Sequence, residues 1–219
     1  MNLLPRLALR WSVIAALACL ALSTRAEAAQ LNVTVRDVQG APVKDAVVWL
    51  ESAAGAGKNT AKPAAVGQID QEFDPFVTVV STGARVLFPN RDKVKHHVYS
   101  FTPAKSFEIQ LYSGTPSEPI VFDKAGVVVI GCNIHDWMLA YVVVLDSPWF
   151  AKSDADGRAQ LSKLPAGRNA LHVWHPFQKA DAGVQQIEFG AAQASRELST
   201  QLELSPPQLK PRRPLGDTY

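Results

Sequence analysis

From Leu31 onward, apolar positions recur at a spacing of two rather than three or four. Leu31, Val33 and Val35 alternate with polar residues, the pattern of a strand with one buried face. The Asp-Val-Gln-Gly-Ala-Pro run at 37–42 supplies turn chemistry, and an apolar strand resumes at 43–50. Residues 51–62, rich in alanine, glycine and polar side chains, read as a loop or linker. Short apolar runs follow at 76–80, 84–88, 97–101, 107–111, 120–122, 127–130 and 140–145, bounded by Gly, Pro, Asn or Asp. After Asp146 the texture changes. Tight turns are expected at 154–157 (Asp-Ala-Asp-Gly) and 164–167 (Leu-Pro-Ala-Gly), with strands at 169–174, 184–189 and 197–204. No long amphipathic helical pattern is present. So many short strands separated by turn residues predict an all-β chain, built as a sandwich or Greek-key barrel. Residues 205–219 hold four prolines and no apolar periodicity, the composition of a disordered tail.

Composition changes this picture little, and charge changes it more. With 219 residues the chain has room for one large domain or two small ones. Hydrophobic residues at 47% and charged residues at 19% suffice to bury a core and exclude a generically disordered chain. The formal net charge is +2, and three arginines and one glutamate within residues 1–28 account for it. The remainder is near neutral. That excludes a nucleic-acid binder, because neutralising phosphates needs a basic surplus.

Residues 1–28 read as a secretory signal peptide. Arg6 and Arg10 precede an uncharged apolar run at 11–22, and Ala26 and Ala28 set small residues at the cleavage positions. That run makes about 18 Å of helix against a bilayer core of ~30 Å, so no stable membrane span is expected. Cys19 lies inside the run, but Ala16 stands where a lipoprotein signal carries leucine, so a lipid anchor is the weaker reading. A periplasmic chain is expected, keeping one cysteine, Cys132, and hence no internal disulfide.

Two separated stretches share a texture. VTVRDVQGAPVKDAVVWL at 33–50 and SDADGRAQLSKLPAGRNALHVWHP at 153–176 run as apolar strand, Asp-x-x-Gly-x-Pro-Val, Asp-x-x-Gly, Leu-Pro-x-Gly and strand. This order resembles the carboxypeptidase-regulatory-like, transthyretin-type β-sandwiches. The resemblance implies one small sandwich made of 29–62 and 147–204, with a second domain, 63–146, inserted in one of its connections.

The chemistry lies in that inserted part. GVVVIGCNIHDWMLAYVVVLD at 126–146 places Cys132, His135 and Met138 at spacings of three and three between two apolar strands. Upstream, VLFPNRDKVKHHVYSF at 86–101 places His96 and His97 where a turn feeds a strand. Two imidazoles, a thiolate and a thioether are the ligand set of a mononuclear type 1, or blue, copper site. Soft sulfur binds both oxidation states of copper, and a distant thioether tunes the potential without gripping the ion. A lone Cys-x-x-His pair would read as a buried thiol beside a surface histidine; the methionine and the upstream histidines make it a metal site. Zinc fits this set poorly, since closed structural zinc sites rarely use a thioether. His172 and His175 read as packing or surface residues. The 154–157 turn lacks the glutamate that a calcium loop needs at its twelfth position, where Pro165 stands.

Residues 68–146 resemble the cupredoxin family, its amicyanin- and plastocyanin-like members above all. NRDKVKHHV is similar to the family's Asn-x-Asp/Glu-x-x-Pro-His-Asn-Val segment, and CNIHDWM with the following YVVV to its Cys-x-x-His-x-x-Met loop and strand. The resemblance implies a cupredoxin Greek-key β-sandwich with copper held by His96, Cys132, His135 and Met138. His97 falls on the family's Asn, which gives its backbone N–H to the cysteine sulfur and its side chain to the residue after the cysteine. A tie between His97 and Asn133 is therefore expected. Lys95 and Ile134 stand where the family has prolines, and Ile134 is expected to add an N–H donor near the sulfur.

One exchangeable electron and no open coordination position point to a carrier and not an enzyme. The sequence shows no Ser-His-Asp order, no paired carboxylates beside the site and no nucleotide-binding glycine pattern. Trp137, next to His135, is expected to form an apolar electron port with Leu139, and Asp136 adds a charge that a partner can read. The resemblance implies periplasmic electron transport of the methylamine-utilisation type, with a c-type cytochrome or an amine or other dehydrogenase as redox partner. Two other readings stand beside it: periplasmic copper trafficking or storage by the same ligands, and a non-redox β-sandwich binding module.

Overall fold

The computed structural model describes residues 29–53, 55, 61–116, 118–190 and 195–207. The signal-peptide reading of 1–28 and all but the first residues of the expected tail lie outside the described residues. Among the described residues every regular element is a strand, as the period-two pattern predicts.

The strands form four larger sheets. The first has the order β14 (Arg158–Leu164), β1 (Ala29–Asp37), β17 (Ser195–Leu202). The second runs β13 (Phe150–Lys152), β2 (Val47–Ser52), β15 (Gly167–Trp174), β16 (Gln185–Phe189). The third and largest runs β6 (Val77–Ser81), β12 (Leu139–Leu145), β11 (Gly126–Cys132), β8 (His96–Thr102), β9 (Lys105–Tyr112). The fourth is β10 (Ile120–Phe122), β7 (Ala84–Leu87), β3 (Ala64–Ala65), and β4 (Gly67–Ile69) pairs with β5 (Glu72–Asp74) as a hairpin.

Three apolar layers hold these sheets face to face. Leu31, Val33 and Leu161 of the first sheet meet Val48, Leu50, Leu171 and Phe189 of the second. Val98, Val128, Ile130 and Val142 of the third meet Val86 and Phe122 of the fourth. Strand alternation supplies the layer between. Along β2, Val48 and Leu50 enter the first core, while Val47 and Trp49 point the other way onto the third sheet. There, with Trp174, they pack on Val77, Tyr141 and Val143. Lys152 ties the same seam, its Nζ 2.7 Å from Asp45 and 2.8 Å from the Val77 carbonyl oxygen. Each fully buried valine or leucine contributes roughly 1.5–3 kcal/mol, so the seam is a substantial apolar contact.

Boundaries differ from the sequence reading where backbone chemistry intervenes. The strand expected at 43–50 starts only at Val47, because Pro42 has no N–H to give and Asp45 turns the chain at φ 63°. Glu51 and Ser52, expected in a loop, extend β2 by pairing with Ala170 and Asn169. The final strand stops at Leu202 rather than 204, and Ser205, expected in the tail, donates its N–H to the Phe177 carbonyl at 2.7 Å.

Gly157, which closes the Asp-Ala-Asp-Gly turn, has φ +76°, and a Cβ there would collide with the Val35 carbonyl oxygen. That turn docks on the first strand, since the Val35 N–H donates to the Gly157 carbonyl at 2.7 Å. We expect Gly157→Ala to destabilise the protein by about 2–4 kcal/mol through left-handed strain plus the clash. Urea unfolding checks it, and a loss under ~1 kcal/mol would show that the turn relaxes freely.

Candidate metal centre

Cys132 ends β11 and His96 begins β8, and these strands are paired neighbours with Cys132 opposite Val98. Both side chains therefore meet at one end of the largest sheet. His135 and Met138 come from the loop 133–138 that joins β11 to β12. The loop is tight because the Met138 N–H donates to the His135 carbonyl at 2.9 Å. His96, Cys132 and His135 are all buried, at 0%, 3% and 9% exposure, and Met138 is buried in the same apolar cluster as Cys132.

The three donor atoms form a compact triangle. The Nδ1 atoms of His96 and His135 are 3.1 Å apart, and they lie 3.7 and 3.6 Å from Cys132 Sγ. A point equidistant from all three sits about 2.0 Å from each, the length of a metal–imidazole bond and a little under the ~2.3 Å of a metal–thiolate bond. The three donors are therefore spaced as a single small ion would require. Among the described residues this is the one group of three His, Cys, Asp or Glu side chains so gathered.

The donors are held from behind. His96 Nε2 lies 2.8 Å from Asp92 Oδ2, which fixes the ring and leaves Nδ1 to face the triangle. Burial pushes the Asp92 carboxyl up, but the Gln71 N–H, His96 and the Asp70 N–H outweigh it, and the carboxyl stays below its ordinary range. For His96, burial pulls the ring down, yet the hydrogen bonds to Cys132 and Asp92 prevail and its pKa is raised. His135 has no such carboxylate contact, and burial followed by the charge of His96 lowers it.

The sulfur is equally prepared. Burial raises the thiol, but the contact with His96 and the backbone N–H groups of His97, Ile134 and His135 reverse this and lower its pKa. The His97–Asn133 tie is made by backbone, the Asn133 N–H donating to the His97 carbonyl at 3.1 Å. The His97 imidazole goes elsewhere: its Nε2 is 2.7 Å from Glu108 Oε1. Trp137 is half-buried against the core cluster, 5.2 Å from the His135 ring between centroids, and its indole N–H donates to the Gln71 carbonyl at 3.1 Å. His172 stacks on Trp49 in the seam, and His175 is buried beside Phe177; neither joins the triangle.

Three supporting residues had no assigned role in the sequence reading. Asp92 is the first. Asn90 caps its loop, accepting the Asp92 N–H at 2.9 Å and donating to the Val94 and Tyr112 carbonyls. Gln71, at φ 58°, completes the set by meeting Asp92 and Trp137 through its backbone. Asn and Asp spaced by two ahead of a histidine are a turn signal that could have flagged the first two.

No protein-family profile and no curated protein matches this sequence. Comparison with solved structures finds copper proteins over part of the chain. A purple cupredoxin from Nitrosopumilus maritimus is 21% identical, over 37% of this chain and 99% of that chain, with a TM-score of 0.34. Amicyanin from Paracoccus versutus is 18% identical, over 39% of this chain and 84% of that one, with a TM-score of 0.33. A copper-containing nitrite reductase from Thermus scotoductus is 23% identical, over 43% of this chain but only 24% of the reductase, with a TM-score of 0.36. At such scores the reading of the site stands on its own geometry.

Asp92 gives the first test of that geometry. In Asp92→Asn, one side-chain atom facing the His96, Asp70 and Gln71 donors either becomes a donor itself or must turn away. We expect metal binding to weaken about 10–100-fold with the fold intact by circular dichroism. Competition with a chromophoric chelator measures it, and an unchanged affinity would remove Asp92 from the site.

Proposed function

We propose that this chain is a periplasmic electron-transfer protein with a mononuclear type 1 copper site, exported by the signal peptide at 1–28. Its ligands are His96, Cys132, His135 and Met138. The observation that carries this reading is the buried triangle of two imidazole nitrogens and one sulfur, with a methionine closing the same loop. Copper held there supplies a one-electron Cu(II)/Cu(I) couple. The remaining work belongs to the chain. Asp92 orients His96, three backbone N–H groups face the sulfur, and the 133–138 turn fixes His135. Donors set in place before the ion arrives need little rearrangement when its charge changes.

The copper-binding part is residues 63–146, inserted into a sandwich of 29–62 and 147–204, with 205–219 as a tail. Trp137, tilted against the His135 ring, serves as the port for electrons, and a c-type cytochrome or a dehydrogenase docks on it. The role is a carrier's and not an enzyme's.

The thiolate is tested by colour. Copper(II) added to the mature chain is expected to give an intense visible charge-transfer band, and Cys132→Ser is expected to abolish it. His96→Ala loses the band, whereas His97→Ala keeps it, because the His97 ring faces Glu108. A strong band surviving in Cys132→Ser sinks the assignment.

The port is tested by separating spectrum from rate. Trp137→Ala is expected to slow electron transfer to an acceptor cytochrome roughly tenfold or more, with ionic strength mattering little for a near-neutral chain. Trp137→Phe, which removes the N–H bond to Gln71 and narrows the ring system but retains an aromatic face, keeps the rate. An unchanged rate with a perturbed spectrum in Trp137→Ala would assign the indole to holding the loop instead.

A further inference from the structure

The second and third sheets do not cover one another completely. Where their shared apolar layer ends, a cleft of about 550 Å³ opens, a volume in the range of small-molecule sites. Gly126, at the end of β11 opposite Cys132, lines it, so roughly 20 Å of strand separates this point from the metal centre. Nothing in the copper reading uses it.

Three tryptophans line this cleft: Trp49 of β2 and Trp174 of β15 from the layer shared with the third sheet, and Trp149 of the loop before β13 from the side of the first core. Each is fixed in advance. Trp49 stacks on His172 with centroids 4.8 Å apart and planes 9° from parallel. Trp174 meets Tyr141 edge-on at 5.8 Å. The Trp149 indole N–H donates to the Lys163 carbonyl at 3.0 Å, and its backbone N–H to Ser147 Oγ at 3.1 Å. The charged lining residues are Glu51 and Asp146, both acidic, and no lysine, arginine or histidine lines the cleft. Both carboxylates are positioned, Glu51 with His172 Nε2 at 3.4 Å and Asp146 accepting from Thr82 Oγ1 at 2.5 Å.

Indole faces carry negative electrostatic potential and attract cations, and the two solvent-facing carboxylates in the lining add to the same field. An anion is repelled. A primary ammonium or an inorganic cation keeps its tight water shell and gains little from an apolar wall. A weakly hydrated cation with methyl groups buries apolar surface and meets the π faces together. We propose that this aromatic cleft between the two central sheets binds an alkylated, quaternary-type ammonium compound.

The test uses the full mature chain without added metal, with choline as probe. Its neutral carbon isostere, in which carbon replaces the ammonium nitrogen, is the control. The indole N–H resonances of the mature chain report position, because Trp137 at the metal centre is an internal reference. Choline is expected to shift the Trp49, Trp149 and Trp174 signals saturably, to leave Trp137 unmoved, and to bind at least tenfold tighter than the isostere. Glu51→Gln, a change at an exposed side chain that leaves the core intact, is expected to weaken choline at least threefold and to leave the isostere unaffected. Equal binding of the two compounds overturns the cation assignment. Absence of any saturable shift, or a shift centred on Trp137, overturns the site. None of these outcomes depends on whether copper binds.

Discussion

Leaving the second nitrogen of a buried imidazole without a partner is costly, and at His96 that demand is met by the carboxylate of Asp92. Much of the site is arranged around this one contact. A carboxylate out of water costs several kcal/mol unless it is well hydrogen-bonded, and Asp92 is met by the Asp70 N–H, the Gln71 N–H and His96 together. Those two amides are aimed at it because Asp70 and Gln71 take left-handed conformations, at φ 54° and 58°. The same turn then offers the Gln71 carbonyl to Trp137. One acidic side chain thus connects the segment before β8, the turn between β4 and β5, and the loop after β11.

The layering of sheets places this assembly where it can be approached. The seam with the second sheet covers the outer face of the third around Val77, Val127, Tyr141 and Val143, and stops short of the end that carries Cys132. At that end the outer face bears Tyr99 and Phe101, the latter 76% exposed, beside Asn133 and Trp137. Gly131 makes room for this arrangement. A Cβ there would stand 2.9 Å from Tyr99 Cζ, so a side chain on the residue before Cys132 would push the ring off the strand. The interior end of the sheet gives rigidity, and the free end gives access to the centre.

The four proposed ligands and the all-β class were legible because both are written in local spacing. Cys132, His135 and Met138 announce themselves at three-residue intervals, and Val33 and Val35 announce a strand by alternation. Asp92 was not legible in the same way, since its amide donors lie 21 and 22 residues upstream in a turn whose conformation no pattern encodes. Strands β3, β4 and β5 have two or three residues each, too few for a period to show. The direction of the His97 ring depended on β9, which sets Glu108 opposite Tyr99 and places two residues, Gln110 and Leu111, across from His97. Pairing across strands decided it. Spacing along one strand carries no such information.

In the copper reading, the chain acts on the potential from two sides at once. The Asp92 carboxylate, behind His96, adds negative charge near the ion and makes the imidazole a stronger donor, which favours the more highly charged Cu(II). The backbone N–H groups of His97, Ile134 and His135 draw electron density away from the thiolate, which favours Cu(I). Had a proline stood at 134, one of those donors would be missing, and the balance would tilt toward the oxidised state. Toward the sulfur Ile134 acts through its main chain, while its side chain packs on the core around Cys132. The two influences reach the ion through different ligands, His96 on one side and Cys132 on the other. A change at Asp92 also releases the His96 ring that it holds, whereas the loss of one amide beside Cys132 leaves both imidazoles tied as before.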